Sequence, residues 1–131
     1  MIQRVVDVAF IRQSSREILL VEKNGFLILP GGKPKKEESD LECIVREIEE
    51  ELPGTELDMT SVRYYKRFTG ISPKSNNPIE VEVYFAVANK IGAPDGQDNI
   101  QRKAWYSYGE TGQLSETTRE IVESLHRDGY L

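Results

Sequence analysis

Apolar and polar positions along this chain follow two periods, and their order lays out the fold. Residues 4–12 (Arg-Val-Val-Asp-Val-Ala-Phe-Ile-Arg) are rich in β-branched and aromatic types and read as a strand. Ser14-Ser15 breaks it, and residues 17–22 (Glu-Ile-Leu-Leu-Val-Glu) form a second apolar run. Asn24-Gly25 follows, a strong hairpin signal, because both central positions of a type I′ turn need positive φ. Phe26-Leu27-Ile28-Leu29 is the predicted returning strand, closed by Pro30-Gly31-Gly32.

The period then changes. Residues 33–38 are a charged loop, and Ser39-Asp40-Leu41-Glu42 has the form of a capping box, in which a hydroxyl and a carboxylate satisfy each other's backbone amides. A helix is predicted from about residue 40 to 52, with Leu41, Ile44, Val45, Ile48 and Leu52 on its apolar face. Pro53-Gly54 ends it. Residues 61–69 and 79–88 read as strands joined by a loop with Pro73, Asn76, Asn77 and Pro78. The second alternates, with Ile79, Val81, Val83, Phe85 and Val87 opposite Glu80, Glu82 and Tyr84. A Gly-, Pro- and Asp-rich loop over 89–99 precedes a short strand at Ala104-Trp105-Tyr106. A last helix starts near Ser115 or Thr117 and turns Ile121, Val122 and Leu125 inward. Strands, helix, strands, helix describe an α+β chain with helices packed on a sheet, and 131 residues suit a single domain over 1–131.

Charge narrows the partners. With 17 basic and 22 acidic residues the net charge is −5, which argues against a nucleic acid polymer. A small phosphorylated ligand stays open, because a metal ion can neutralise acidic groups locally. No apolar run is long enough to span a bilayer, so no membrane partner is expected. The opening Met-Ile-Gln-Arg-Val-Val-Asp lacks a secretory pattern, and Cys43 is the only cysteine, so the expected address is the cytoplasm.

The chemistry lies on the first helix. Glu47, Glu50 and Glu51 share one side of it, beside the apolar face, and Arg46 is one turn before Glu50. Like charges at this spacing repel, and the helix C-terminus disfavours anions. A cation offsets both costs, and hard oxygen ligands select Mg²⁺ or Mn²⁺. A bare Glu-Ile-Glu-Glu-Glu run would read as a solvated face, but Pro30-Gly31-Gly32 and Glu38 precede this one.

Taken together these residues resemble the Nudix box, G-x5-E-x7-R-E-U-x-E-E-x-G-U with U aliphatic. Gly32, Glu38, Arg46, Glu47, Ile48, Glu50 and Glu51 fall on its positions, while Pro53 and Gly54 depart from it past the carboxylates. The resemblance implies an α/β/α sandwich with a mixed β-sheet between helices. It implies metal ligation by Glu47, Glu50, Glu51 and the carbonyl of Gly31, with Glu47 holding a second metal or orienting water. Arg46 would hold the glutamates in place. Gly32, Lys33 and Glu38 fall on the expected substrate side. The implied reaction is attack of a metal-activated water on a pyrophosphate phosphorus. Many relatives carry a further Glu before the strand with the Trp; Asn99 stands there in this chain. Asp98 could replace it, or Glu47 could act as base alone; Asp95 is a weaker candidate.

The expected substrate is a small-molecule nucleotide, first of all a nucleoside triphosphate cut to monophosphate and pyrophosphate. ADP-ribose, a nucleotide-sugar or a dinucleoside polyphosphate is the alternative. Subgroups with those substrates often place a Pro or Tyr at a set distance past the box, where this chain has Thr69-Gly70-Ile71-Ser72, with Pro73 slightly too far. A non-catalytic nucleotide sensor is the third reading, and the intact glutamates favour catalysis over it. The first strand begins near Met1, so an N-terminal addition to the pocket is not expected, and the chain would be a monomer or homodimer. Lys33, Lys35, Arg67 and Arg102 are solvated cations or phosphate contacts. Phe26, Tyr84 and Trp105 are core or base-stacking aromatics. His126 reads as a surface residue and Cys43 as packing.

Overall fold

A computed structural model describes residues 2–72 and 75–131. Pro73, part of the loop and marker argument above, lies outside the described residues. The strands are β1 (Gln3–Arg12), β2 (Glu17–Lys23), β3 (Phe26–Ile28), β4 (Gly31–Gly32), β5 (Glu56–Ile71), β6 (Pro78–Lys90) and β7 (Ile100–Ser107). The helices are α1 (Asp40–Glu51) and α2 (Glu116–Arg127), and a single 3-10 turn covers Gln97–Asn99.

The sheet is mixed. Its order is β3-β2-β1-β6-β5, with β4 on β1 and β7 on β2. β1 and β6 are parallel, from Gln3↔Ile79 to Phe10↔Ala86, while β5 returns antiparallel on β6. β1 gives its other edge first to β4, at Val6↔Gly32 and Asp7↔Gly31, and only later to β2, at Ile11↔Ile18 and Arg12↔Glu17. The Gly31–Gly32 pair is thus a short strand clamped to β1.

Each face of the sheet carries one helix, the sandwich that the resemblance implies. On one face α1 packs Cys43, Ile44, Ile48 and Leu52 against Val6, Val8, Phe10, Leu19 and Val21. On the other α2 packs Ile121, Val122 and Leu125 against Ala9, Ile18, Leu20, Val81 and Val83. Strands buried on both faces lose simple alternation, and this accounts for β6. Val81, Val83 and Phe85 lie in one core, while Glu82 and Ala86 are buried on the other side. Val87, placed inward by the alternation, is 58% exposed. The cause is a large bulge: pairing jumps from Asp58↔Val87 to Arg63↔Phe85, so Met59–Val62 protrude. Asp58 closes the protrusion, accepting from the Thr60 amide at 3.0 Å, while its carbonyl accepts from the Ser61 hydroxyl at 2.6 Å.

Several ends follow the predicted local chemistry. Asn24 and Gly25 both have positive φ, 52° and 82°, in a two-residue turn between Lys23 and Phe26. Ser39 caps α1, with reciprocal bonds of 2.9 and 3.1 Å to Glu42. Gly54, at φ 88°, takes the chain out past Leu52, whose carbonyl accepts from Thr55. Ser115 caps α2, accepting from the Thr118 amide.

Two strands exceed the predicted spans, β5 over 61–69 and β7 over 104–106, because β6 and β2 supply partners to segments with weak patterns of their own. The apolar face of α1 also differs. Leu41 and Val45 are 36% and 38% exposed, while Glu47 and Glu51 are buried with Ile44 and Ile48. The helix is turned one step toward its carboxylates, since β4 offers backbone and not side chains to pack against. Replacing the Ser39 cap tests how strongly α1 is anchored there: Ser39→Ala should lower stability by about 1 kcal/mol, measured as a shift in denaturant midpoint at constant slope.

Candidate functional site

Gly31 and Gly32 determine how closely α1 approaches the sheet. A Cβ on Gly31 would stand 2.2 Å from the Val6 carbonyl oxygen and 2.5 Å from Asp7 Oδ1. A Cβ on Gly32 would stand 2.4 Å from the Glu47 carboxyl carbon. Only glycine leaves room for backbone and carboxylates to meet here. The Gly31 amide donates to Glu51 Oε1 at 2.9 Å.

Arg46 organises the approach to this cleft. Its Nε and Nη2 grip Glu38 at 2.8 and 2.9 Å in a bidentate pair. Nη1 donates to Glu47 at 2.8 Å and stands 3.4 Å from both Glu50 oxygens. Nη2 also reaches the Lys33 carbonyl at 3.0 Å. One guanidinium thus ties the loop after β4 to two of the helix carboxylates. The Arg46 hydrogen bonds hold the Glu38 carboxyl down at about 2.

The carboxylates converge from two elements. Glu47, Glu51 and Asp98 each offer an oxygen, and the three oxygens lie within 4.8 Å of one another. Asp98 sits in the 3-10 turn with φ 55°, and Asn99 follows at φ 60°. Two successive left-handed non-glycine residues are uncommon and store backbone strain of the kind found at functional sites. Asp98 joins the helix carboxylates by this geometry, whereas Asp95 is not one of the three and instead accepts from Gln97. Glu50 is also outside the three, its half-exposed side chain resting on Arg46.

Sequence reading missed Asp7 and Lys23. Asp7 is the one polar residue in the Val5-Val6-Asp7-Val8-Ala9-Phe10 run, which was the available signal. It is half-buried beside Gly31, near enough to Glu47 for their charges to interact. Burial, then the neighbouring Glu47, pushes its carboxyl up to about 8. Burial pushes Glu51 up to about 8 as well, against the opposing bond from Gly31. Glu47 is raised by burial, partly offset by Arg46. Lys23 lowers both Asp7 and Glu51 through its charge. Two buried carboxylates, Glu47 and Glu51, with Asp7 partly buried and Asp98 exposed beside them, are eased by protons or a cation. All-oxygen donors without histidine or cysteine suit a hard divalent ion, and the set fits one.

Lys33 and Pro34, which follow Gly32 along the chain, line a groove of about 390 Å³ together with Ile2, Gln3, Arg4 and Asn77. Lys33 is exposed, and Arg4 is engaged by Asp40 through two 2.6 Å bonds. Tyr84 also donates to Asp40, so it is part of this polar network. The remaining candidates have local partners. Arg67 pairs with Glu80 and Glu82, and Arg102 with Glu22. Trp105 packs under the guanidinium of Arg12, and Phe26 is half-buried on β3. Lys35 is exposed, its amide donating to Glu38. Cys43 is fully buried, and His126 stacks on Tyr108 at the protein surface.

The raised carboxyls set a pH dependence for the metal-free protein. Glu51 moves from an ordinary 4.5 to about 8, so between these values the folded state binds more protons than the unfolded one. Stability from this group is present at low pH and lost as pH rises, and Asp7 acts in the same direction. In chelator, the melting temperature should fall from pH 5 to pH 8, and Glu51→Gln should flatten that slope.

A family model described as the NUDIX domain matches residues 1–125. A MutT Nudix hydrolase from Burkholderia pseudomallei is 25% identical, with TM-score 0.79 over 94% of this chain and 97% of that one. A chain from Chromobacterium violaceum described as a Nudix hydrolase family member is 26% identical, with TM-score 0.73 over 97% and 78%. The Nudix domain of NrtR from Shewanella oneidensis, solved with ADP-ribose, shares the fold at 14% identity, with TM-score 0.76 over 98% and 88%. Its box residues, its sandwich fold and the family match together make this chain a member of the Nudix family, a hydrolase of pyrophosphate bonds in nucleoside diphosphate derivatives.

Proposed function

We propose that this chain is a Mg²⁺-dependent pyrophosphohydrolase that cuts a nucleoside triphosphate to monophosphate and pyrophosphate, with Mn²⁺ able to replace Mg²⁺. The observation that carries this reading is the convergence of Glu47, Glu51 and Asp98 within 4.8 Å. Glu50 joins them from the rim, and the Gly31 carbonyl is assigned to the same cation. A divalent ion held by these residues would supply an acidified water and a counter-charge for the phosphate oxygens.

The protein's own groups do the positioning. Arg46 fixes Glu47 and Glu38, so that Glu47 presents a carboxylate at a constant place to take the proton from attacking water. Asp98 fills the role that Asn99 cannot, since an amide accepts no proton. Lys33 and the backbone at Gly32 face the phosphates, and the adjoining groove receives the nucleoside end. Its volume of about 390 Å³ is within the range of small-molecule sites. The net charge of −5 supports a free nucleotide rather than a nucleic acid polymer as substrate.

A second reading, ADP-ribose hydrolysis, has one observation in its favour: a structural relative of the same fold was solved with that ligand. Incubating the protein with Mg²⁺ and a panel of nucleoside triphosphates, ADP-ribose and dinucleoside polyphosphates decides between them. The expected result is the highest kcat/KM on a triphosphate, with pyrophosphate released and no turnover in chelator. A clear preference for ADP-ribose would overturn the substrate assignment.

Residue roles separate by substitution. Glu51→Gln and Glu50→Gln should each lower kcat by roughly 10²–10⁴ with the fold retained. Full activity in Glu51→Gln would rule out its assignment. Asp98→Asn should lower kcat and alter the pH–rate profile if Asp98 shares the base work. If Glu47 carries that work alone, Asp98→Asn should be mild and Glu47→Gln severe.

A further inference from the structure

Asp7 stands on β1 directly opposite Gly31, in register with the backbone that Glu51 caps. Among the described residues its carboxylate makes no hydrogen bond and no ion pair, although it is half-buried. Other carboxylates near α1 have such partners: Asp40 has Arg4 and Tyr84, Glu38 has Arg46, and Glu42 has the Ser39 amide. Asp7 instead lies on β1 beside the Gly31–Gly32 strand against which Glu47 and Glu51 are packed, with Lys23 the nearby positive charge. An acid in the run Val5–Phe10, otherwise made of Val, Ala and Phe, and close to other acids, is costly unless something positive lies between them.

The protein's geometry keeps it there at further expense. Gly31 has no side chain, and any Cβ would meet Asp7 Oδ1 at 2.5 Å. The same glycine therefore makes room for Asp7 on one side and bonds Glu51 on the other. Asp7 is not one of the three oxygens within 4.8 Å, so it borders that set rather than belonging to it.

We propose that Asp7 is a further cation-binding carboxylate, which β1 adds to those of α1 and the 97–99 turn and which raises the site's affinity for divalent ions. The inference rests on the cation reading above and adds a residue that lies outside the box. With Asp7, Glu47, Glu51 and Asp98 around one cleft, Lys23 and Arg46 offset only part of the negative charge, and this favours binding of a divalent ion.

The test is Mn²⁺ titration, followed by the loss of the free-ion EPR signal, on wild type, Asp7→Asn and Glu49→Gln. Asn has the shape of the acid, and Glu49 is an exposed glutamate on α1 that controls for net charge. Asp7→Asn should weaken Mn²⁺ binding at least tenfold, within the 10–100-fold effect of residues that support metal ligands. Glu49→Gln should leave it within twofold. In chelator Asp7→Asn should melt higher than wild type, and its gain in melting temperature on adding Mn²⁺ should be smaller. If Asp7→Asn fails to fold, Asp7→Ser takes its place. Mn²⁺ affinity unchanged in the variant, with wild type binding normally, would overturn the role of Asp7. A wild-type protein that takes up no Mn²⁺ would instead overturn the cation reading on which it rests.

Discussion

The burial of two glutamates, Glu47 and Glu51, against a strand of two glycines is the constraint on which the rest of the site depends. Charged groups almost never enter a core unpaired. Here they enter because Gly31 and Gly32 remove the side chains that would block them, and because one oxygen of Glu51 takes the Gly31 amide. The hydrophobic anchor, Ile44, Ile48 and Leu52, sits on the same face of α1 and holds the helix down. Burial and function therefore compete on one helix surface, and its exposed Leu41 and Val45 are the visible consequence.

Around that constraint the protein builds stiffness. Arg46 joins the loop to the helix through Glu38 and Glu47, so the carboxylates are placed before any ligand arrives. Preorganised charge of this kind costs nothing at the moment of reaction. The opposite wall comes from a different principle: Asp98 reaches the cluster from a left-handed backbone conformation, which Asp and Asn adopt more readily than other non-glycine residues. The two walls are distant in sequence, and the sheet brings them together by pairing Lys23 of β2 with Ile100 of β7.

Much of this was legible in the residues alone, for local reasons. Asn24-Gly25 and Ser39 with Glu42 encode their geometry within a few positions, and the turn and cap form as their chemistry dictates. The box from Gly32 to Glu51 likewise carries spacing that a single helix and loop can express. What escaped depends on distant partners. Asp7 is the one acid in an apolar run, and only the pairing with β4 sets it beside Gly31. The exposure of Val87 follows from a bulge in another strand, and the length of β5 from the pairing that β6 offers. The facing of α1 was misread because hydrophobicity was assumed to choose the buried side, whereas the glycines admit carboxylates there.

The central claim is that these converging carboxylates exist to hold a divalent cation. Crystals grown or soaked with Mn²⁺ and measured for its anomalous scattering address it most directly. The expected result is a strong anomalous peak within coordination distance of Glu51 and at least one of Glu47 and Asp98. Well-ordered crystals that show no peak at this cleft, while Mn²⁺ is bound elsewhere on the protein, would contradict it.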